Sequence, residues 1–178
     1  ANWKLVDPET GWISRTSMGR AVLMLKRFYK YRESMAGKRT FKESEASYKF
    51  NIGRALISCK IDRIETTVDG KFYIVDFKTG KSTISLEDAK TDAQMQIYQY
   101  AVGPDAAGAS LVYLDHELKG NKTRDQLPID RKAVEERIER TAVMMGGKRY
   151  LAVKNSNCQF CNVASSCPIQ IEGRGLYG

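Results

Sequence analysis

The sequence predicts an α/β (α+β) protein in which helices flank a central mixed β-sheet. Segments with helical periodicity and segments typical of strands follow one another in the order helix, strands, helix, strands, helix. The chain of 178 residues has no internal repeat and suits one domain, or one domain with a tail. We divide it into a core, residues 1–150, and a cysteine-containing carboxy-terminal tail, residues 151–178.

The first predicted elements are a helix and a β-hairpin. From Ser17 to Phe28 apolar residues recur at steps of three and four in "SMGRAVLMLKRFYKYRE", opposite a basic face, which predicts an amphipathic helix. The stretches "EASYKFNI" (45–52) and "RALISCKIDRIETT" (54–67) are typical of strands. The turn signal "VDG" then leads into "KFYIVDFKTG" (71–80), which predicts a hairpin.

The second half adds two helices and a strand pair. "SLEDAKTDAQMQIYQYAV" (85–102) predicts one helix, with Ser85 as its N-cap and Gly103 as its stop. "ASLVYLDH" (109–116) predicts a strand that pairs with one near "TRDQLPI" (123–129). A last helix follows Asp130, and four apolar residues are expected on its inner side: Val134, Ile138, Ala142 and Met145.

The charge balance and hydropathy restrict the class of protein. Lys and Arg number 29 against 21 Asp and Glu, a net charge of +8, which attracts polyanions such as nucleic acid. A basic surface that serves only solubility would give the same count. No apolar run is long enough to cross a bilayer and no signal peptide is recognisable, so we expect a soluble cytoplasmic protein. The first dozen residues, without an initiating methionine, suggest a piece of a longer chain.

The loop of the hairpin decides whether two acidic residues meet. A three-residue loop, residues 68–70, with Gly70 in the left-handed conformation, sets Thr67 opposite Lys71 and therefore Asp62 opposite Asp76. A two-residue turn would move Asp76 to the other face. The prediction of paired carboxylates depends on the longer loop.

Two opposed carboxylates in apolar strands suggest a cation site. Like charges opposite each other destabilise a sheet, and their burial is costly unless something compensates. Mg²⁺ prefers one or two carboxylates together with water and a substrate phosphate. Lys78 shares a face with Asp76, and there it would orient the attacking water and stabilise charge on phosphorus. The alternative is that Asp76 and Lys78 only mark the solvent-exposed face of a sheet.

Three segments in this order, "KIDRIE", "IVDFKTG" and "QMQIY", resemble the RecB-like branch of the PD-(D/E)XK nuclease superfamily, from about residue 45 onward. The resemblance implies a restriction-endonuclease-like core that cleaves DNA with Mg²⁺ or Mn²⁺. It implies that Asp62, Asp76 and the backbone carbonyl of Phe77 bind the metal and that Lys78 is the catalytic lysine.

The same resemblance assigns a helix motif to Gln94 and Tyr98. These residues are four apart and share one helix face, from which they would position the lysine or the DNA backbone. Taken alone, Tyr98 fits ordinary core packing equally well.

The tail carries three of the four cysteines, and this crowding favours metal ligation over disulfide bonds. Metal ligation by cysteines fits a reducing compartment. Cys158, Cys161 and Cys167, followed by Pro168, resemble the carboxy-terminal part of the iron–sulfur staple in some RecB-like helicase-nucleases, which supply a fourth cysteine far upstream. Four cysteines suit a 4Fe-4S cluster, and zinc is the chemical alternative. Cys59 is the remaining cysteine, and its place in a strand favours a small buried hydrophobe over a fourth ligand.

Many relatives supply a histidine from a helix upstream of these motifs, but the single histidine, His116, follows a later strand and does not match it. We expect His116 at the surface or at a strand end. We therefore expect a Mg²⁺-dependent exonuclease domain at the carboxy terminus of an ATP-dependent helicase-nuclease that acts in double-strand-break repair and recombination. Its expected partners are DNA, a helicase motor in the same parent chain and a partner subunit. The alternatives are a catalytically silent nuclease-fold module that binds DNA or a partner, and a zinc-ribbon adaptor.

Overall fold

The computed structural model describes residues 12–115, 123–147 and 152–169. In these ranges five strands form one sheet, in the order in which they follow along the chain: β1 (Arg39–Ile52), β2 (Ala55–Thr67), β3 (Phe72–Lys78), β4 (Ala106–Tyr113) and β5 (Thr123–Gln126). The same ranges contain four α-helices: α1 (Trp12–Met35), α2 (Leu86–Lys90), α3 (Ala93–Val102) and α4 (Arg131–Met145). Within them, no helix has the length and apolar character that a bilayer span requires.

The chain divides into two compact units, residues 1–138 and 139–178. The first unit contains the sheet, α1 to α3 and the first half of α4. The second contains the rest of α4 and two short 3-10 helices, Ser156–Phe160 and Ala164–Ser166. The predicted boundary between residues 150 and 151 falls at residues 148–151, which lie outside the described residues, so it stays a prediction.

The sheet is mixed, which confirms the predicted fold class. β1, β2 and β3 are antiparallel neighbours, β3 and β4 are parallel, and β4 and β5 are antiparallel. Parallel neighbours need a crossover connection, because the chain must return to the end at which the first strand began. Here α2 and α3 form that connection, and it brings α3 across the sheet beside the end of β3.

Apolar residues cover both faces of the sheet. One face packs against α2 and α3 through a cluster that includes Ile64, Ile74, Ala89 and Met95. The other face packs against α1 through Val75, Val112 and the helix residue Tyr31. Because β3 lies in the middle, Ile74 and Val75 are both fully buried although they point to opposite faces.

The segment predicted as one helix, residues 85–102, is two helices. Ser85 caps α2 by accepting a hydrogen bond from the Asp88 N–H, and Gly103 ends α3 with φ of 112°, as predicted. The break comes at Asp92, whose side chain accepts a 2.9 Å hydrogen bond from the Met95 N–H and so starts a new helix.

Gln126 on β5 stabilises this break. Its side-chain amide nitrogen donates to the carbonyl oxygens of Ala89, Lys90 and Asp92 at 2.9, 3.2 and 3.2 Å. These bonds satisfy carbonyls at the junction of the two helices, where the helical ladder is interrupted.

Two other sequence predictions need correction. β1 begins at Arg39 rather than at residue 45, because pairing with β2 continues to Arg39 opposite Thr67 through a charged segment that carries little strand signal. Met145, expected on the inner side of the last helix, is 68% exposed, whereas Val134 is buried. His116 lies outside the described residues.

Candidate active site

The β2–β3 hairpin has the predicted three-residue loop. Gly70 has φ of 80°, its N–H donates to the Thr67 carbonyl at 3.0 Å, and the Thr67 N–H donates to the Lys71 carbonyl at 2.9 Å. The pairs that follow include Arg63 with Val75. Continued by one residue, this register sets residue 62 opposite residue 76.

Asp62 lies where the two strands separate. Pairing of β2 with β3 ends at Arg63 and Val75, and one residue further Asp62 Oδ2 accepts a 3.0 Å hydrogen bond from the Phe77 N–H. The N–H and C=O of one strand residue point to the same edge, so the Phe77 carbonyl also faces the side of Asp62. The Lys78 carbonyl, one residue on, accepts from the Leu114 N–H on the opposite side of β3.

Asp76 is a buried carboxylate with incomplete compensation. Asp76 is 3% exposed, and burial raises the pKa of its carboxyl group. The nearby Lys78 lowers this pKa, whereas the negative charges of Asp62 and Asp92 raise it. Oδ2 pairs with Lys78 Nζ at 2.7 Å, yet the pKa of the carboxyl group stays above its usual value, so the lysine offsets only part of the cost of burial. A buried oxygen in this condition is one that a hard cation would stabilise.

In addition to its ion pair with Asp76, Lys78 contacts α3. Its ammonium donates to Gln94 Oε1 at 2.8 Å, and Gln94 Nε2 donates to the Tyr98 hydroxyl at 2.8 Å. Gln94 and Tyr98 lie one turn apart on α3, as their spacing predicted. Tyr98 is also 7% exposed and belongs to the apolar core, which confirms the packing role considered for it. Its role in positioning the lysine or the DNA backbone stays a prediction.

The structure therefore brings Asp76, Lys78, Gln94 and Tyr98 into one chain of contacts, and it places Asp62 at the adjoining strand fork. Among the residues described, no three His, Cys, Asp or Glu side chains form a metal-binding group. The oxygen-bearing groups here are the two carboxylates and the Phe77 carbonyl, and oxygen groups of this kind are those that Mg²⁺ prefers together with water and phosphate. Their role as metal ligands stays a prediction.

Sequence reasoning missed Asp92 and underestimated Arg20. Asp92 caps α3 and adds negative potential at Asp76, and the N-cap pattern before "AQMQIY" could have revealed the cap. Arg20 lies in the stretch predicted as the first amphipathic helix, where only a general basic face was expected. It donates to the Thr79 carbonyl at 2.8 Å and pairs with Asp115 at 2.8 Å. It thus connects α1 to the residue that follows Lys78.

The tail cysteines lie in the second unit and form no disulfide. The Asn155 N–H donates to Cys158 Sγ at 3.3 Å, and the Cys161 N–H donates to the Cys158 carbonyl at 3.2 Å. With Cys167 they form no metal-binding group in the described part of the chain, so their ligand role stays a prediction. Cys59 packs against the sheet core and burial raises the pKa of its thiol, which fits the small hydrophobe expected there.

Comparison with known proteins identifies the class. The family model of the PD-(D/E)XK nuclease superfamily matches residues 2–168. The chain belongs to this superfamily. The match extends over the three tail cysteines as well as the hairpin and α3.

Solved structures and curated sequences add little to this. A structure titled "Crystal structure of SSO0001" is similar at 20% identity, covers 85% of this chain and 69% of that chain, and has a TM-score of 0.47. A likeness at this level carries no argument about function. The comparison with curated proteins finds no match.

Proposed function

We propose that the protein is a metal-dependent deoxyribonuclease of the RecB-like branch, which hydrolyses phosphodiester bonds in DNA. The observation that carries the proposal is the buried, incompletely compensated Asp76 carboxylate beside a lysine that α3 holds in place. A structural carboxylate of this kind would reduce stability with no return, whereas a cation and a DNA phosphate give it a role.

Each side chain has a defined task in this proposal. Asp62, Asp76 and the Phe77 carbonyl would hold Mg²⁺ or Mn²⁺, which when bound activates water and neutralises phosphate charge. The Lys78 ammonium orients the attacking water and stabilises negative charge on the phosphoryl oxygens. Gln94 fixes that ammonium, and the Tyr98 hydroxyl fixes the Gln94 amide so that its oxygen faces Lys78.

The test is cleavage of end-labelled linear DNA, both single-stranded and duplex, by the purified chain. We expect cleavage with Mg²⁺ or Mn²⁺, none with a chelator present, and recovery when the metal is added back. DNA binding without cleavage under any metal would instead identify a catalytically silent module. The product lengths would show whether the enzyme works from ends, as the exonuclease assignment requires.

We also propose that the domain belongs to an ATP-dependent helicase-nuclease of double-strand-break repair and recombination, with a motor in the same parent chain and a partner subunit. The net charge of +8 and the C-x2-C-x5-C tail support this context. The tail would supply three ligands, Cys158, Cys161 and Cys167, to a 4Fe-4S cluster.

Purification without oxygen tests the tail. We expect iron and sulfide to accompany the protein with a visible absorption band, and expect Cys161→Ala to remove both while Cys59→Ala retains them. Bound zinc with no colour would replace the iron–sulfur cluster by a zinc site. Absence of both metals would contradict a ligand role for these cysteines in this chain.

A further inference from the structure

Lys78 is the last residue of β3, and the chain that follows it has no regular structure. Residues 79–85 form neither helix nor strand before α2 begins at Leu86. At this end of the strand the Lys78 carbonyl accepts a 2.9 Å hydrogen bond from the Leu114 N–H, just beyond β4. Strand ends next to irregular chain open more easily than strand centres. The position of the Lys78 ammonium therefore depends on what holds the chain at residue 79.

A single guanidinium group from α1 connects the chain just after β3 with the chain just after β4. Arg20 Nη2 donates to the Thr79 carbonyl at 2.8 Å, and Arg20 Nε donates to Asp115 Oδ1 at 2.8 Å. Thr79 directly follows Lys78, and Asp115 directly follows Leu114, whose N–H donates to Lys78. Because a guanidinium group is planar and presents its donors in fixed directions, Arg20 restrains both acceptors at once.

Two more residues of α1 contact the same strand ends. Arg27 Nη1 donates to the Leu114 carbonyl at 2.8 Å. Arg20 and Arg27 are seven residues apart, which is about two helical turns, so they lie on one face of the helix. The Phe28 ring packs edge-to-face on the Phe77 ring, with centroids 5.2 Å apart. α1 therefore contacts the chain immediately before and immediately after Lys78.

These contacts come from the face of the sheet opposite to the candidate active site. Side chains alternate along a strand, so Phe77 points to the face that α1 covers, whereas Asp76 and Lys78 point to the face that α3 covers. The hydrogen bonds of Arg20 go to Thr79 and Asp115. Any effect of Arg20 on the Lys78 ammonium is therefore transmitted through the backbone.

Global stability does not explain the contacts of Arg20. Its side chain is 43% exposed, and exposed ion pairs contribute little to the free energy of unfolding. The hydrogen bond from Arg20 lowers the pKa of Asp115, so this carboxylate is charged at neutral pH. A contact of this kind can still determine local geometry, and a displacement of about 1 Å at a catalytic group can cost about a hundredfold in rate.

We infer that Arg20 is a positioning residue for the reaction: it holds the end of β3 against the end of β4, so that the Lys78 ammonium stays between Asp76 and Gln94. The inference rests on the proposed nuclease function. It assigns to α1 a role in the chemical step, although this helix supplies none of the groups proposed to bind metal or act on phosphate. A direct contact between Arg20 and a DNA phosphate is the other outcome of the test.

The experiment compares Arg20→Ala and Arg20→Lys with a matched control, Arg32→Ala, at an exposed position of the same helix. Single-turnover cleavage of labelled DNA with Mg²⁺ gives the maximal rate, and fluorescence anisotropy with Ca²⁺ in place of Mg²⁺ gives the DNA affinity. We expect both Arg20 variants to lower the maximal rate about tenfold or more and to leave the DNA affinity unchanged. Lysine keeps the charge but cannot hold both acceptors as a planar guanidinium group does. Arg32→Ala is expected to change neither quantity.

Hydrogen exchange tests the same contact without any measurement of activity. The Leu114 N–H, which donates to the Lys78 carbonyl, reports on this end of β3, and the Phe72 N–H, which donates to the Asp105 carbonyl at 2.9 Å, reports on the other end. In Arg20→Ala we expect the Leu114 amide to exchange about tenfold faster and the Phe72 amide to exchange at an unchanged rate.

The possible results separate the two proposals. If the unchanged protein cleaves no DNA, the nuclease function is overturned. If it cleaves DNA and both Arg20 variants cleave equally fast, only the positioning role is overturned. A loss of DNA affinity in Arg20→Ala that Arg20→Lys restores would show a phosphate contact in place of positioning. Faster exchange of both amides would show that Arg20 stabilises the fold as a whole, and unchanged exchange at Leu114 would show that it does not hold the end of β3; either result contradicts the inference.

Discussion

Asp76→Asn is expected to lower the rate of Mg²⁺-dependent DNA cleavage about a thousandfold or more. The substitution keeps the size of the side chain but removes the charge that a cation at this site requires, and metal stabilisation of a phosphoryl transition state is worth several kcal/mol. Single-turnover cleavage of labelled DNA measures the rate. Asp69→Asn, on the exposed loop of the same hairpin, is the control and is expected to cleave normally.

The same variant should not be less stable when metal is absent. Burial raises the pKa of Asp76, so the folded protein disfavours the charged form of this side chain. The contribution of Asp76 to the free energy of unfolding therefore falls as the pH rises above the pKa that this group has in the unfolded chain. An uncharged asparagine avoids this effect. We expect urea denaturation at neutral pH to give an equal or higher free energy of unfolding for Asp76→Asn, and expect Mn²⁺ to raise Tm in the unchanged protein only. Full cleavage by the variant would contradict the assignment of Asp76.

Lys78→Met is expected to slow cleavage about a hundredfold to a thousandfold while metal binding is retained. The methionine removes the ammonium that acts on the water and the phosphate, but it leaves both proposed carboxylate ligands. Because Asp76 also loses the cation 2.7 Å from its Oδ2, we expect the Mn²⁺-induced rise in Tm to be at least as large as before. The measurements are single-turnover rates and a Mn²⁺ titration of Tm.

Lys81→Met, three residues further along the loop and exposed, is the control for loss of one positive charge. It is expected to change the rate only slightly. If Lys78→Met lost both cleavage and the Mn²⁺-induced rise in Tm, the lysine would be needed to maintain the metal site, and a direct role in the chemical step would be contradicted. Lys78→Arg adds a further comparison, since its planar guanidinium keeps the charge but not the geometry of an ammonium.

Local sequence patterns determined the parts of this site that depend on short-range geometry. The period of two in a strand places Asp76 and Lys78 on one face, and the glycine of "VDG" selects the three-residue loop that sets the hairpin register. The period of the helix places Gln94 and Tyr98 together. These relations follow from backbone geometry over a few residues, so they need no knowledge of the rest of the chain.

Only the tertiary structure decided how these pieces meet. The parallel pairing of β3 with β4 carries α3 across the sheet to within 2.8 Å of Lys78, and Gln126, far along the chain, stabilises the break at Asp92 that sets the start of α3. The burial of Asp76 and the strand fork at Asp62 likewise arise from where strands stop pairing. Such features depend on packing between distant segments, which no local periodicity encodes.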